Sequence, residues 1–320
     1  MIRIQGSVLC AGNLVFDILV RPIDAPRYGS TIWVDTIERH LGGNGANTAY
    51  ALGLLGVPTR LLGAVGRDEF GEQVLAWLAS AGVDFSAIER VAVPTAASVV
   101  LVASSGERCL LHCPGASAEV FQNPIDFDEQ LAAACHFHLA NPFALPGMRK
   151  VAAENLRRAK SAGLTTSLDA GWDAKGEWMA VIGPCLAHAD LLMLNRDEAR
   201  MLSGYDDLGR AVGFLRDAGA GDIVVKLGEQ GCYVFSGDRE IQSPGFVIEA
   251  VDTTGAGDCF AAGFLAALHR GAGYAEAANF ANAVGARSAG NLGSVEGLLS
   301  YNDTLAWIAG RGEVPNRNTI

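Results

Sequence analysis

The segment Asp252-Thr253-Thr254-Gly255-Ala256-Gly257-Asp258 sets a tight glycine turn ahead of an apolar stripe at Phe260, Gly263, Phe264, Ala267 and Leu268. The stripe has helical spacing, so the glycines open a helix and Asp258 lies in its first turn. The backbone N–H groups of Gly255, Ala256 and Gly257 then have no partner within the helix. With the positive end of the helix dipole they form a seat for an anion. Glycine also lets a phosphate come close to the backbone. A carboxylate beside such a seat repels an anion that merely binds there. It is useful if it takes a proton while a phosphoryl group arrives. The plainer alternative is a helix N-terminus with an acidic first-turn residue.

Gly42-Gly43-Asn44-Gly45-Ala46-Asn47 is a second glycine-rich helix entry. Each asparagine offers a donor and an acceptor, which suits a polyol. A cap built from Asn and Gly has the same composition. Asp17 follows the first strand closely, where an α/β sheet places ligand contacts. Taken alone, it also fits a surface loop. Asn195-Arg196-Asp197-Glu198 follows the apolar run Leu191 to Leu194. Asn195 and Glu198 are three apart and share a helix face. They can hold waters around Mg2+, or simply cap the helix as a reciprocal pair. No Gly-x-x-x-x-Gly-Lys-Ser/Thr sequence occurs, which excludes a P-loop. No Gly-x-Gly-x-x-Gly follows the first strand, so a nicotinamide-binding half has little support.

These groups need elements to carry them. Val8-Leu9-Cys10-Ala11-Gly12 reads as a first buried strand, and Gly42 to Gly45 open an alanine-rich helix that runs to Leu55. Residues 61–65 form a strand, and 68–81 a helix closed by Gly82. The later pattern is helix 146–162, strand 164–169, strand 190–194, helix 196–202, helix 207–218 and strand 222–227. A hairpin over 232–248 and helices at 256–270 and 274–289 complete it. Such alternation implies a mainly parallel sheet with helices on both faces. Residues 14–41, with Pro22, Pro26 and Gly29, and the alternating stretch 95–113 interrupt the scheme and can pair into one small sheet. His136 and His138 would share a face of a strand and read as ordinary polar-side residues, not ligands. The tail from Arg311 to Ile320 is polar and reads as loosely held.

A chain of 320 residues, half of them hydrophobic, suits one large α/β domain or two smaller ones. It contains no apolar run long enough for a membrane span, and Met1 to Gly6 lack the layout of a signal peptide. A net charge of −11 without a basic cluster argues against nucleic acid as a partner. It leaves room for a small anion held by backbone N–H groups and a metal ion. Seven cysteines at irregular spacing, mostly in apolar surroundings, read as reduced buried thiols of a cytosolic protein. Cys109 and Cys113 lack the second pair that a zinc site needs.

Together these pieces resemble the ribokinase-like (PfkB) carbohydrate kinases. Gly42-Gly43-Asn44-Gly45-Ala46-Asn47, running on through Gly56, matches the N-terminal motif of that family, and Asp252 to Asp258 matches the C-terminal one. Gly66-Arg67-Asp68-Glu69-Phe70-Gly71, Ala81-Gly82-Val83-Asp84 and Gly106-Glu107-Arg108 fit the pattern between them. The resemblance covers nearly the whole chain in order. It implies a doubly wound α/β fold with a small β-sheet lid. Residues 1–13, 42–94 and 114–320 would form the main domain, and 14–41 with 95–113 the lid. It also implies transfer of the ATP γ-phosphoryl group to a hydroxymethyl oxygen of a small sugar. In that scheme Asp258 is the base, and Gly255, Ala256 and Gly257 form the anion hole. Asp17, Gly43, Asn47 and Asn141 fall where sugar hydroxyls are gripped. Asn195 and Glu198 match an Asn-x-x-Glu element tied to phosphate and to Mg2+, the latter through water. Lys226, Gly228 and Gly231 belong to the loop that lines ATP, and Asn282 flanks adenine. A K+ loop, present in many members, would by position use Asp252, Thr254, Ser288, Asn291 and Gly293, although 288–297 departs from the ribokinase pattern.

Other departures concern the acceptor. Asn44 stands where ribokinases often carry lysine. No arginine follows Asp169 in Asp169-Ala170-Gly171-Trp172-Asp173, where members specific for 2-keto-3-deoxygluconate often have one. An anionic sugar needs a cation, and Arg108 in the lid is one candidate. The resemblance therefore leads to an ATP- and Mg2+-dependent kinase of a neutral sugar. A nucleoside kinase of the same fold and a non-catalytic sugar-binding protein are the alternatives. The expected protein is cytoplasmic, binds neither nucleic acid nor membrane, and dimerises through its lid, whose edge strand is a pairing surface.

Overall fold

The computed structural model describes residues 2, 4–127, 131 and 133–310. Along the chain the first strands are β1 (Val8–Ala11), β2 (Val15–Arg21), β3 (Thr36–Gly42), β4 (Thr59–Gly66), β5 (Ile88–Val91), β6 (Ala97–Val102) and β7 (Arg108–Cys113). They continue as β8 (His136–Ala140), β9 (Thr165–Asp169), β10 (Leu191–Asn195), β11 (Asp222–Lys226), β12 (Cys232–Ser236) and β13 (Arg239–Ser243). The first helices are α1 (Asn44–Leu54), α2 (Glu69–Ser80), α3 (Met148–Ser161), α4 (Met179–Leu186) and α5 (Arg196–Ser203). Then come α6 (Leu208–Asp217), α7 (Ala256–His269), α8 (Tyr274–Ala289) and α9 (Tyr301–Ala309).

Alternation along the buried strands dictates the layers. Val8 and Cys10 of β1 point into one core, Leu9 and Ala11 into a second, and Leu191 to Leu194 divide the same way. A sheet apolar on both faces must be covered on both. Helices α1, α2, α7 and α8 line the first core, and α3, α4, α5 and α6 the second. The strand order is β13-β12-β11-β10-β9-β8-β1-β4-β5, parallel except for the β12 and β13 hairpin. The order reverses at β1, and in such sheets ligands sit beyond the strand carboxyl ends at the reversal.

Residues 14–41 and 95–113 do meet. Their strands form a separate sheet, β3-β2-β6-β7, in which β2 and β6 run parallel with Asp17 opposite Ser98. Buried Phe16 anchors its foot, stacking on Phe70 at 4.2 Å and Trp77 at 5.5 Å, both from α2. This sheet is the lid.

Some expectations need correction. His136 and His138 are fully buried, and both bond to the Ser167 hydroxyl at 2.7 Å. A sheet covered on both faces has no polar side, and burial pushes the two imidazoles down to about 3 and about 4. Of the seven cysteines, all free, Cys109 and Cys113 are exposed on β7 rather than buried. Periodicity does not reveal α4, α9 or β5. α4 spans eight residues with Pro184 inside it, α9 buries only Thr304, and β5 buries only Ile88. The tail from Arg311 lies outside the described residues. Among them, no helix is long and apolar enough to cross a membrane.

The hand-over from β1 to α1 depends on close backbone contact. A Cβ on Gly45 would lie 2.6 Å from the Gly12 backbone, with no side chain able to move aside. Gly45→Ala is expected to lower stability by about 1–3 kcal/mol through overpacking, against alanine's better helix propensity. Gly213→Ala in α6 is the contrast, since a Cβ there meets nothing within 4 Å. It should raise stability by about 0.5–1 kcal/mol, and denaturant titration of the two variants checks the opposite signs.

Candidate active site

The carboxyl ends of β8, β9, β10 and β11 carry Asn141, Asp169, Asn195 and Lys226, and α1 and α7 begin at the same pole. Asp258, in the first turn of α7, is buried and accepts two side-chain amides from α1. Asn44 Nδ2 donates to its Oδ1 at 2.8 Å, and Asn47 Nδ2 to its Oδ2 at 2.9 Å. Asn141 Nδ2 in turn donates to Asn44 Oδ1 at 2.9 Å. Asn141 is placed for this by a left-handed backbone, φ 47°, which asparagine tolerates. Gly171 leaves it room, because a Cβ there would sit 2.3 Å from the Asn141 side chain. Burial raises the Asp258 pKa to about 6, with the two amides and Lys226 opposing the rise and Asp169 adding to it. Asn47 Oδ1 and Asn141 Oδ1 are buried without a partner among the described residues. Such orphaned acceptors are costly, and a hydroxyl-bearing ligand would satisfy them.

Lys226 lies beneath the glycine turn. Its Nζ bonds both oxygens of buried Asp169, at 2.9 and 2.7 Å, and lies 3.4 Å from where a Cβ on Gly257 would be. Burial works against its charge, but Asp169, Glu198 and Asp258 hold the ammonium above the ordinary lysine value. Burial pushes Glu198 up to about 7, with Lys226 opposing. One cation thus faces three buried carboxylates. Asn195 and Glu198 do form the reciprocal cap. Asn195 Oδ1 accepts from the Glu198 N–H and Glu198 Oε2 from the Asn195 N–H, both at 2.8 Å. The cap holds the Glu198 carboxylate in place and leaves Oε1 without a hydrogen bond among the described residues. No cluster of three or more His, Cys, Asp or Glu that could cage a metal occurs among those residues.

Gly255 caps α7 at φ 72°, and a Cβ on it would lie 2.5 Å from the Ser294 side chain, so only glycine fits. Among the described residues no acceptor meets the N–H of Gly255 or Gly257. The Ala256 N–H reaches Thr253 O over a long 3.3 Å, so it is not free as the sequence suggested.

Asp252 ties the turn together. Its carboxylate accepts from the Thr254 N–H at 2.7 Å and the Gly293 N–H at 3.1 Å. Arg108 reaches over from the lid, 2.6 Å from Asp252 Oδ1, and also donates to the Thr254 hydroxyl. Ser288 Oγ donates to Ser294 O, and Asn291 Nδ2 to Arg287 O, each at 2.8 Å. Of the residues expected around K+, Asp252, Thr254 and Gly293 are therefore tied to one another, with Arg108 on the first two, while Ser288 and Asn291 bond backbone oxygens. Arg108 supplies positive charge at Asp252.

The remaining expected residues divide into two places. Asp17 is on β2 rather than on a surface loop, and its carboxylate fits because residue 42 is glycine; a Cβ there would lie 2.0 Å from Oδ2. Burial raises its pKa to about 6, against a Ser98 hydrogen bond and the nearby His40. Gly43 caps α1 at φ 92°, tight against Asn13 O. Gly231 and Asn282 converge elsewhere, on Ser243. Asn282 Nδ2 donates to Ser243 O at 3.1 Å, and a Cβ on Gly231 would lie 2.1 Å from the same oxygen. Gly228 opens the single turn between Lys226 and Gly231. Two site residues had weak signals in the sequence. Asn44 was visible as a polyol-binding asparagine of its helix entry and as a departure from lysine, and Asp169 as a strand end that no arginine follows. Neither hint named its partner, Asp258 or Lys226.

Comparison with known proteins agrees with this geometry. The model of the pfkB family carbohydrate kinases matches residues 10–300. An ATP-dependent ribose-1-phosphate kinase of Halopiger xanaduensis is 34% identical over 290 residues, 90% of this chain and 93% of that protein. Fructokinase-1 of Oryza sativa subsp. japonica is 30% identical over 281 residues, 82% of this chain and 87% of that protein. The structure of Arabidopsis thaliana ribokinase complexed with ribose and ATP aligns with a TM-score of 0.85 at 26% identity, over 95% of this chain and 99% of that one. With both glycine-rich helix entries at one pole of a doubly wound sheet beneath a β lid, the chain belongs to the pfkB family of carbohydrate kinases, ATP-dependent phosphotransferases.

Proposed function

We propose that this kinase phosphorylates a hydroxymethyl oxygen of a small neutral sugar, with Asp258 as the general base. The observation that carries the reading is the buried Asp258 carboxylate, held by Asn44 and Asn47 beside the free N–H groups of Gly255 and Gly257. Asp258 takes the hydroxyl proton as that oxygen bonds to the γ-phosphorus and the bond to the ADP oxygen breaks. The glycine-turn N–H groups, Ala256 included, stabilise charge on the moving phosphoryl group. Asp17, Gly43 and the orphaned oxygens of Asn47 and Asn141 receive the other sugar hydroxyls. Lys226, Gly228, Gly231 and Asn282 line the nucleotide, with Asn195 holding Glu198 in its cap. Mg2+ bound with ATP neutralises phosphate charge, and the open Oε1 of Glu198 would hold it through water. The lid closes over the body and excludes water.

A neutral acceptor fits because Arg108 is paired with Asp252, Lys226 with Asp169, and Arg149 with Asp173 and Glu177. The similarity to a ribose-1-phosphate kinase favours a second reading, a pentose phosphate as acceptor. We also propose a homodimer formed through the lid. Leu110, Leu111 and Ile37 on its edge strands are 59%, 58% and 66% exposed, an apolar surface that a second copy would cover.

ADP release over a panel of sugars, sugar phosphates and nucleosides tests the function. One compound should stimulate release strongly, and Asp258→Asn should cut that turnover by roughly 10²–10⁴-fold, the size of a general-base effect. Near-normal turnover in the variant would remove Asp258 from the role. The same residue sets a pH dependence. Its pKa rises from 3.8 unfolded to about 6 folded, so the working carboxylate is lost as pH falls through about 6. kcat/KM should fall on that limb and level off above it. The sign for stability is opposite, because the folded state binds this proton more tightly and the buried charge destabilises at neutral pH. Asp258→Asn should therefore melt no lower than wild type at neutral pH. Light scattering should give twice the 33.4 kDa chain mass, and Leu111→Glu should give a monomer.

A further inference from the structure

Lid and body meet at the rim of the site through two charged contacts. One is Arg108 on Asp252 and Thr254. The other is His40, a buried residue of β3, whose Nδ1 bonds Glu296 Oε1 in the loop after α8. On the body side, Glu296 Oε2 accepts from the Val295 N–H at 2.9 Å, which fixes the carboxylate to its own loop. That loop supports the glycine turn. Ser294 packs against Gly255, and Cys259 Sγ and Ser288 Oγ both donate to Ser294 O, at 3.2 and 2.8 Å. Gly293 lies directly under the contact, because a Cβ there would be 2.5 Å from His40 Nδ1 and 2.3 Å from Glu296 Oε2. On the lid side, His40 is the direct cross-strand partner of Asp17.

We propose that His40 is a positioning residue whose bond to Glu296 couples Asp17 on the lid to the Gly255 turn on the body. The acceptor grip and the anion seat are then set by one contact, made only when the lid is closed. The inference rests on the roles given to Asp17 and Gly255 in the proposed function. The charges around His40 support it. Glu38 on its own strand has Oε2 3.4 Å from His40 Nε2, too poorly aligned for a hydrogen bond. Asp17 faces it from β2 and Glu296 from the body, with Asp252 beyond. The Glu296 bond raises the imidazole pKa against burial, with Glu38 adding to the rise. The imidazolium half of the clasp is therefore lost as pH rises through that raised value. Without the imidazolium, Asp17 and Glu296 would repel across the seam.

The test compares wild type, His40→Gln, Glu296→Gln and the double variant. Glu296→Gln keeps the side-chain size and an acceptor for the Val295 N–H, so the loop is preserved. Two readouts are taken: deuterium exchange of β2 and β3 amides in ligand-free protein, and KM for acceptor and for ATP. Each single variant should speed exchange and raise the acceptor KM by about tenfold, with a smaller rise in ATP KM and the double variant no worse than either single. Acceptor KM in wild type should also rise with pH on an alkaline limb that His40→Gln lacks. Additive effects in the double variant, or lower melting temperatures with unchanged acceptor KM, overturn the proposal. Exchange does not depend on turnover. If wild type phosphorylates no acceptor, the function reading fails while β2 and β3 exchange still decides the clasp.

Discussion

The structure depends on keeping a carboxylate usable inside a buried helix entry. Asp258 has been removed from water, which disfavours its charge. It is also placed beside N–H groups that favour an anion. Two amide donors from α1, one for each oxygen, keep the group oriented and lower its pKa again. The balance leaves it near the range where the proposed base would be effective. That arrangement requires α1 and α7 to begin at one point, and the Gly12 and Gly45 contact brings α1 there.

Charge around this point is balanced locally. Lys226 faces Asp169, Glu198 and Asp258 from below, and the capping box keeps Glu198 from turning away. Breaking a buried pair such as Lys226 and Asp169 leaves an uncompensated charge, which is why both remain buried together. At the rim, Arg108 of the lid pairs with Asp252, and His40 of the lid bonds Glu296. The back of the glycine turn is thus partnered by side chains from the lid. The apolar stack of Phe16 on Phe70 and Trp77 fixes the foot of the lid, whereas its rim is held by ions. Apolar stacking depends little on pH, whereas the ionic rim responds to pH and to salt.

The layer order and most long elements were legible, because apolar periodicity and glycine punctuation are local properties. Elements with few buried residues, such as β5 and α9, carried too little pattern to be seen. The histidines of β8 were misread for a related reason. Alternation predicts a polar face only when one side of a sheet meets water, and which sheets are covered is not a local property. Arg108 was flagged as a possible anion contact, yet its partner was an aspartate of the chain itself.

By itself the sequence determined the chemistry available: a glycine turn followed by a carboxylate, an asparagine-rich helix entry, and a doubly covered parallel sheet to carry them. These follow from residue type and spacing within a few turns of chain. Only the tertiary structure decided the pairings. Asn44 lies 214 positions from Asp258, His40 lies 256 from Glu296, and Arg108 lies 146 from Thr254. Burial and charge partners set the pKa of each group, and both come from segments remote in the chain. No local pattern encodes them, so the residues that could react were visible in the sequence, while what holds each of them in its working state was not.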